Sequence, residues 1–193
     1  MIIHDYKLIF VHIPRTGGGS VQHALINSLG EQGNYIMNTR HATLQQIIHT
    51  SNQDVSDYKV VTFVRDPWKR AVSGLINSPG HTDMKSFLTE PPMPQIDYLS
   101  GSHPDFIGRF EDIQHDFDHL CQDVLGIDKI KLPHHNKSDY EHKYFLEWLT
   151  GPDKLMIDDI YQPDIQTFNY EFSMFPEEAD PTIYCCINGC GED

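Results

Sequence analysis

Leu8-Ile9-Phe10-Val11-His12-Ile13 is a nearly continuous apolar run, closed by Pro14 and followed almost at once by Gly17-Gly18-Gly19. A run this short and this apolar fits a strand buried on both faces. From Ser20 onward, Val21, Ala24, Leu25 and Leu29 recur at helical spacing, and Gly30 stops the pattern. A strand covered on both faces needs neighbours in a sheet and helices above and below it, so this strand, glycine turn and helix narrow the possible folds sharply. A second such unit follows. Residues 58–64, Tyr-Lys-Val-Val-Thr-Phe-Val, form the strongest strand pattern in the sequence and end at Arg65. Asp66 then reads as an N-cap with Pro67 at the first helical position, and Trp68, Ala71, Val72 and Leu75 mark one helical face. Two such units imply βαβ connections, hence an α/β fold with a central parallel sheet and helices on both faces.

The remaining segments fit that plan. Residues 34–37 read as a short strand, and Thr43 with Gln46 forms a capping box for a helix carrying Leu44, Ile47 and Ile48. Residues 107–110 read as a further strand, before a helix with Phe117, Leu120, Cys121, Val124 and Leu125 that stops at Gly126. Residues 140–149 and 154–161 are amphipathic. Between 77 and 105, Pro79, Gly80, Pro91, Pro92, Pro94, Gly101 and Pro104 break every periodicity, which marks a cap or acceptor-binding segment. The expected organisation is one domain over residues 1–172 and an irregular tail over 173–193.

Charge limits the partners. The chain of 193 residues has 28 acidic and 14 basic side chains, a formal net charge of −14. Such a surface repels nucleic acid and anionic membranes, so an anionic ligand must be held by a few local donors. No apolar run approaches the roughly 20 residues of a membrane span. The first residues carry no basic-then-apolar leader, and of Cys121, Cys185, Cys186 and Cys190 the last three crowd together, a poor disulfide framework. The expectation is a cytoplasmic protein with reduced thiols.

Two motifs carry chemistry. In Pro14-Arg15-Thr16-Gly17-Gly18-Gly19-Ser20, glycines let the backbone approach a ligand, while helix-start amides with Arg15, Thr16 and Ser20 offer donors to an anion. No Gly-Lys-Ser/Thr closes the loop as in a Walker A motif, and no Gly-x-Gly-x-x-Gly is in register. In the second motif, Arg65 stands at the carboxyl end of its strand, where open α/β sheets bind ligands, and Ser73 follows about two helical turns later. A guanidinium and a hydroxyl so placed suit one phosphate approached from two sides. Two anion sites on neighbouring strands suit a ligand with two separated phosphates.

At these motifs the chain resembles the sulfotransferases that use 3′-phosphoadenosine 5′-phosphosulfate (PAPS), in the branch that includes the carbohydrate O-sulfotransferases. That branch typically reads His-x-Pro-Lys-Thr-Gly-Gly-Thr-Ser, against His12-Ile13-Pro14-Arg15-Thr16-Gly17-Gly18-Gly19-Ser20 here. Its 3′-phosphate motif, Arg-Asp-Pro-x-x-Arg-x-x-Ser, is matched by Arg65, Asp66, Pro67, Arg70 and Ser73. Weaker likenesses are Pro94-Gln95 with Tyr98-Leu99, residues 106–111, residues 132–138, and Tyr161, Asp164, Phe168 and Tyr170. The resemblance covers about residues 8–172. Arg15 replaces the usual Lys and Gly19 the usual Thr, so the charge is kept and one hydroxyl donor is lost.

The resemblance implies a P-loop nucleotide-kinase-like sulfotransferase fold, with PAPS as co-substrate and a hydroxyl acceptor of carbohydrate class. It places Arg15, Thr16, Gly17, Gly18, Gly19, Ser20, Arg65 and Ser73 at the nucleotide, with Arg15 also stabilising the leaving group. It implies no metal. An acceptor hydroxyl needs a base, and Arg40-His41-Ala42-Thr43 looks like the branch's pattern for one, making His41 the candidate. Glu111 is an alternative base, although its strand setting favours a structural carboxylate. His134 and His135 read as loop residues, His12 as a strand residue, and the clustered cysteines as tail thiols rather than a metal site. Two other readings remain: a nucleotide-binding protein of this descent that has lost activity, and a nucleotide kinase-like phosphotransferase, which would need Mg²⁺.

Overall fold

A computed structural model describes residues 1–29, 35–36, 41–133 and 149–172. Its elements are β1 (Ile2–Ile3), β2 (Leu8–Val11), α1 (Gly18–Leu29), β3 (Tyr35–Ile36), α2 (Leu44–His49), β4 (Lys59–Val64), α3 (Pro67–Ile76), α4 (Met84–Phe87), β5 (Phe106–Arg109), α5 (Ile113–His119), α6 (Gly151–Ile160) and α7 (Gln162–Phe168). A π-helical turn, Leu120–Leu125, continues α5. The expected helix over 140–149 lies, but for its last residue, outside the described residues, as does the expected tail.

The sheet is open, in the order β3-β1-β2-β4-β5. β2, β4 and β5 pair in parallel, while β1 pairs antiparallel with both β2 and β3. Four strands therefore run one way and the short β1 runs against them. This is an α/β architecture with a mostly parallel sheet.

Alternation along β2 shows why both faces must be covered. Leu8 and Phe10 pack with Val21, Ala24 and Leu25 of α1 and with Phe117 and Leu120. Ile9 and Val11 point the other way, to Leu44 and Ile47 of α2, Leu99 and Phe168. Each such fully buried side chain stabilises the fold by about 1.5–3 kcal/mol. A third cluster joins Trp68, Val72 and Leu75 of α3 to Phe87, Ile157 and Tyr161.

The segment from 77 to 105 is built into this core. Met84, Phe87 and Leu88 bury against α3, and Tyr98 and Leu99, in the 3-10 turn Ile96–Leu99, bury beneath the sheet's second face. The proline-rich stretch hid two short helical pieces that anchor it. Helix α1 also begins earlier than Ser20, taking Gly18 and Gly19 into its first turn.

Register gathers the site. Val11 pairs with Thr62, and Val64 with Arg109. The carboxyl ends of β2, β4 and β5 thus share one edge, where the loops after Val11, Val64 and Arg109 meet.

Candidate functional site

The glycine-rich loop turns through two left-handed residues, Arg15 at φ 69° and Gly17 at φ 73°. A non-glycine residue held there is strained by about 1–3 kcal/mol, a cost concentrated at functional sites. The loop is closed from within, because the buried Thr16 hydroxyl donates to Ile13 O at 2.9 Å. That hydroxyl serves the loop, and in α1's first turn Ser20 N and Val21 N donate to Gly17 O at 3.0 and 3.3 Å, so the amides of Gly18 and Gly19 are the ones placed for an anion. A Cβ on Gly17 would meet Ile113 Cδ1 at 2.3 Å, so α5 fixes the loop from outside.

Arg65 follows β4 directly and is 8% exposed. Its Nη1 donates to Arg15 O at 3.2 Å, and its guanidinium lies 4.1 Å from the centre of the Phe110 ring. Its Nε is buried and has no hydrogen-bond partner among the described residues. Burial pulls the Arg65 pKa down to about 10, with Arg15 pushing the same way and Glu111 opposing. Burial also lowers that of Arg15. Two guanidiniums have thus been brought together at a desolvating site.

The Arg15 side chain reaches across to α3, where Nε and Nη2 donate to Ser73 Oγ at 3.0 and 2.8 Å. Arg15 therefore contacts both halves of the second motif, Arg65 through its carbonyl and Ser73 through its guanidinium. Ser20 stands half-buried in the first turn of α1.

The motif's other residues build the frame. Asp66 caps α3 by accepting from Lys69 N at 2.9 Å, and its own N–H donates to Glu111 Oε1 at 2.8 Å. Tyr170 Oη donates to Glu111 Oε2 at 3.1 Å. Glu111 is thus a structural carboxylate tied to two partners. Arg70 is 3% exposed, and its Nε and Nη2 donate to Pro14 O and Met93 O at 3.1 and 3.0 Å. It is a strut between the loop and the 77–105 segment.

His41 sits at the same edge, at φ 64°, with Nδ1 3.3 Å from His12 O. A carbonyl only accepts, so this contact makes Nδ1 the donor and puts the neutral ring's lone pair on Nε2, the arrangement a base needs. Its ring meets that of His12 edge-on at 4.6 Å. His12 is half-buried just beyond β2, with Nδ1 3.2 Å from Gln22 Oε1. His134, His135 and the three tail cysteines lie outside the described residues.

Three features escaped the sequence reading. Phe110 stacks on Arg65; Ser73 pairs with Arg15; and Gln95 holds the Arg65 backbone. Residues 106–111 and Gln95 stood in recognisable patterns, but the partner of each is distant in sequence. Among the described residues, Asp112, His115 and Asp116 place ligand-type atoms within 4.8 Å of one another on the entry to α5. Asp112 and His115 are exposed, and the 3.4 and 3.3 Å contacts of His115 Nδ1 with Asp112 and Asp116 are solvated surface contacts. Among the described residues, no helix is long and apolar enough to cross a membrane. Compared with family models, curated proteins and solved structures, the chain matches none.

Proposed function

We propose that this chain is a PAPS-dependent sulfotransferase of the P-loop nucleotide-kinase-like type, acting on a hydroxyl acceptor of carbohydrate class. One observation carries the reading. Arg15 and Arg65 come from motifs 50 residues apart, lie together with Ser73, and leave Arg65 Nε buried without a partner among the described residues. Like charges brought together at partial burial are stabilised by an anion between them, and a buried unpaired guanidinium N–H costs about 1–3 kcal/mol until something accepts it. A phosphate or sulfate meets both needs.

In this reading, Arg65 and Ser73 hold the nucleotide's 3′-phosphate. Arg15 and the amides of Gly18 and Gly19 at the start of α1 face the 5′-phosphosulfate. The acceptor oxygen attacks sulfur in line as the bond from sulfur to the bridging oxygen breaks. Charge on the departing bisphosphate falls on Arg15 and the amides, and the hydroxyl proton passes to His41 Nε2. The products are a sulfate ester and adenosine 3′,5′-bisphosphate.

The test is turnover of PAPS against a panel of glycan acceptors in excess EDTA, together with thermal stabilisation by nucleotides. Activity should persist in EDTA, and adenosine 3′,5′-bisphosphate should stabilise the protein well beyond AMP, each charge-assisted bond contributing about 1.5–3 kcal/mol. Equal stabilisation by the two nucleotides would remove the 3′-phosphate assignment. Activity lost on chelation and restored by Mg²⁺ would favour a phosphotransferase, and bisphosphate binding without turnover a nucleotide-binding protein of this descent.

A further inference from the structure

The backbone N–H and C=O of Arg65 are gripped from one side by a single carboxamide. β4 leaves the ladder at Val64, and from there Gln95 stands in for the next strand residue. Its Oε1 accepts from Arg65 N–H and its Nε2 donates to Arg65 C=O, both at 2.8 Å. Gln95 is 0% exposed. It is held in turn by Asp164 of α7, also 0% exposed, whose two carboxylate oxygens accept from Gln95 N at 2.8 Å and Ile96 N at 2.9 Å.

This arrangement is chemically demanding. Only a carboxamide of this length supplies one acceptor and one donor to the N–H and C=O of the same residue. Glutamate would set a second acceptor against the Arg65 carbonyl, and an apolar side chain would strand both groups. The backbone so fixed belongs to the residue whose Nε is buried and, among the described residues, unpartnered. Phe110 fixes the guanidinium plane and Arg15 O fixes Nη1, but neither sets where the backbone starts.

We infer that Gln95 is a positioning residue for the anion site, fixing the Arg65 backbone so that its Nε–H meets a ligand phosphate, with Asp164 holding Gln95 in place. This rests on the anion-site reading of Arg65 given above. It makes discrimination for the nucleotide's additional phosphate depend on two residues that touch no ligand, and ties the site to α7 at the far end of the domain.

The experiment compares wild type with Gln95→Glu, which loses the donor, and Gln95→Met, which keeps the shape and loses both bonds. Two readouts are taken: Kd for adenosine 3′,5′-bisphosphate and for AMP, and amide hydrogen exchange at Arg65 without nucleotide. Bisphosphate affinity should fall about tenfold in Gln95→Glu and further in Gln95→Met, while AMP affinity changes less than twofold. Exchange at Arg65 should quicken in Gln95→Met. A merely structural role would weaken both nucleotides alike or neither, and that result overturns the inference. If wild type itself fails to distinguish the nucleotides, the nucleotide assignment fails. The positioning role is then decided by the Arg65 Nε–Hε NMR signal titrated with inorganic sulfate: a response lost in Gln95→Met upholds it, and an unchanged response overturns it.

Discussion

The imidazole of His12 fills the space that a side chain at position 18 would need: a Cβ there would lie 2.2 Å from His12 Cδ2 and 2.7 Å from Nε2. The ring has little room to retreat, being stacked at 6.0 Å on Phe10, in contact with Gln22 and edge-on to His41. Gly18→Ala should therefore cost about 1–3 kcal/mol of stability, the usual range for overpacking. It should also displace His41 and lower turnover. Gly151→Ala is the control, since nothing lies within 4 Å of a Cβ there. Urea midpoints of the two variants measure the difference, and equal midpoints would refute the packing argument.

The guanidinium of Arg65 is not replaceable by an ammonium. A lysine cannot stack flat on Phe110 and also reach Arg15 O with a second nitrogen. Burial already lowers Arg65 to about 10, and a lysine starts from a reference near 10.4, so the same burial carries it towards neutrality. Arg65→Lys should lose most of the preference for bisphosphate over AMP, and what remains should weaken as pH rises from about 6.5 to 8.5. Isothermal titration at several pH values checks this. A wild-type preference, flat with pH, would contradict it.

Two carboxyl groups of the site's frame titrate against the usual direction. Burial raises the pKa of Asp164 and of Asp66, with hydrogen bonds from backbone amides opposing in each case. A carboxyl whose folded pKa is raised binds its proton more tightly in the folded protein. Its contribution to stability is fully present below the unfolded value of 3.8 and is lost as pH rises through the higher folded value. The formal charge of −14 acts in the same direction, since acid relieves self-repulsion. Stability should therefore rise as pH falls from 7 towards 4. Asp164→Asn and Asp66→Asn should each flatten that slope, whatever their offset at pH 7. Denaturant midpoints across the range test this, and slopes identical to wild type would count against it.

Strong local signals made much of the fold legible. Strand β4, the Asp66-Pro67 start of α3 and the Thr43/Gln46 capping box of α2 stand where the sequence put them, and β2 starts at Leu8 as expected but stops at Val11, leaving His12 and Ile13 beyond the strand. Strand β1 was invisible because two residues show no periodicity; Ile2 and Ile3 become a strand by pairing with Ile9 and Leu8 on one side and Ile36 and Tyr35 on the other. The last sheet strand was expected over residues 107–110 and runs from Phe106 to Arg109, which frees Phe110 to turn under Arg65. Within the site, residue types were legible but partners were not. Arg65 and Ser73 were expected to converge directly, whereas Arg15, 58 residues before Ser73, joins them. Gln95 acts on backbone atoms, and such a contact leaves no imprint on the side chains it serves.

His41 and Arg15 should separate in kinetics. If His41 Nε2 takes the acceptor's proton, His41→Ala should lower kcat by about 10²–10⁴-fold. Its Nδ1 donates to the His12 backbone carbonyl just beyond β2, whereas Arg15, Arg65 and Ser73 form the anion cluster, so the Kd of adenosine 3′,5′-bisphosphate should stay within about twofold. Arg15→Ala should behave otherwise. That side chain donates twice to Ser73 Oγ, and in the proposed transfer its positive charge would also neutralise the leaving group. Turnover and bisphosphate affinity should fall together, the affinity by about tenfold or more for the loss of charge-assisted bonds. Single-turnover rates at saturating acceptor, with bisphosphate Kd measured on the same preparations, distinguish the two roles. Near-normal turnover in His41→Ala would remove it as the base. Glu111, bound to Asp66 N and Tyr170 Oη, would then have to break an existing contact to serve, leaving His134 or His135 as the next group to mutate.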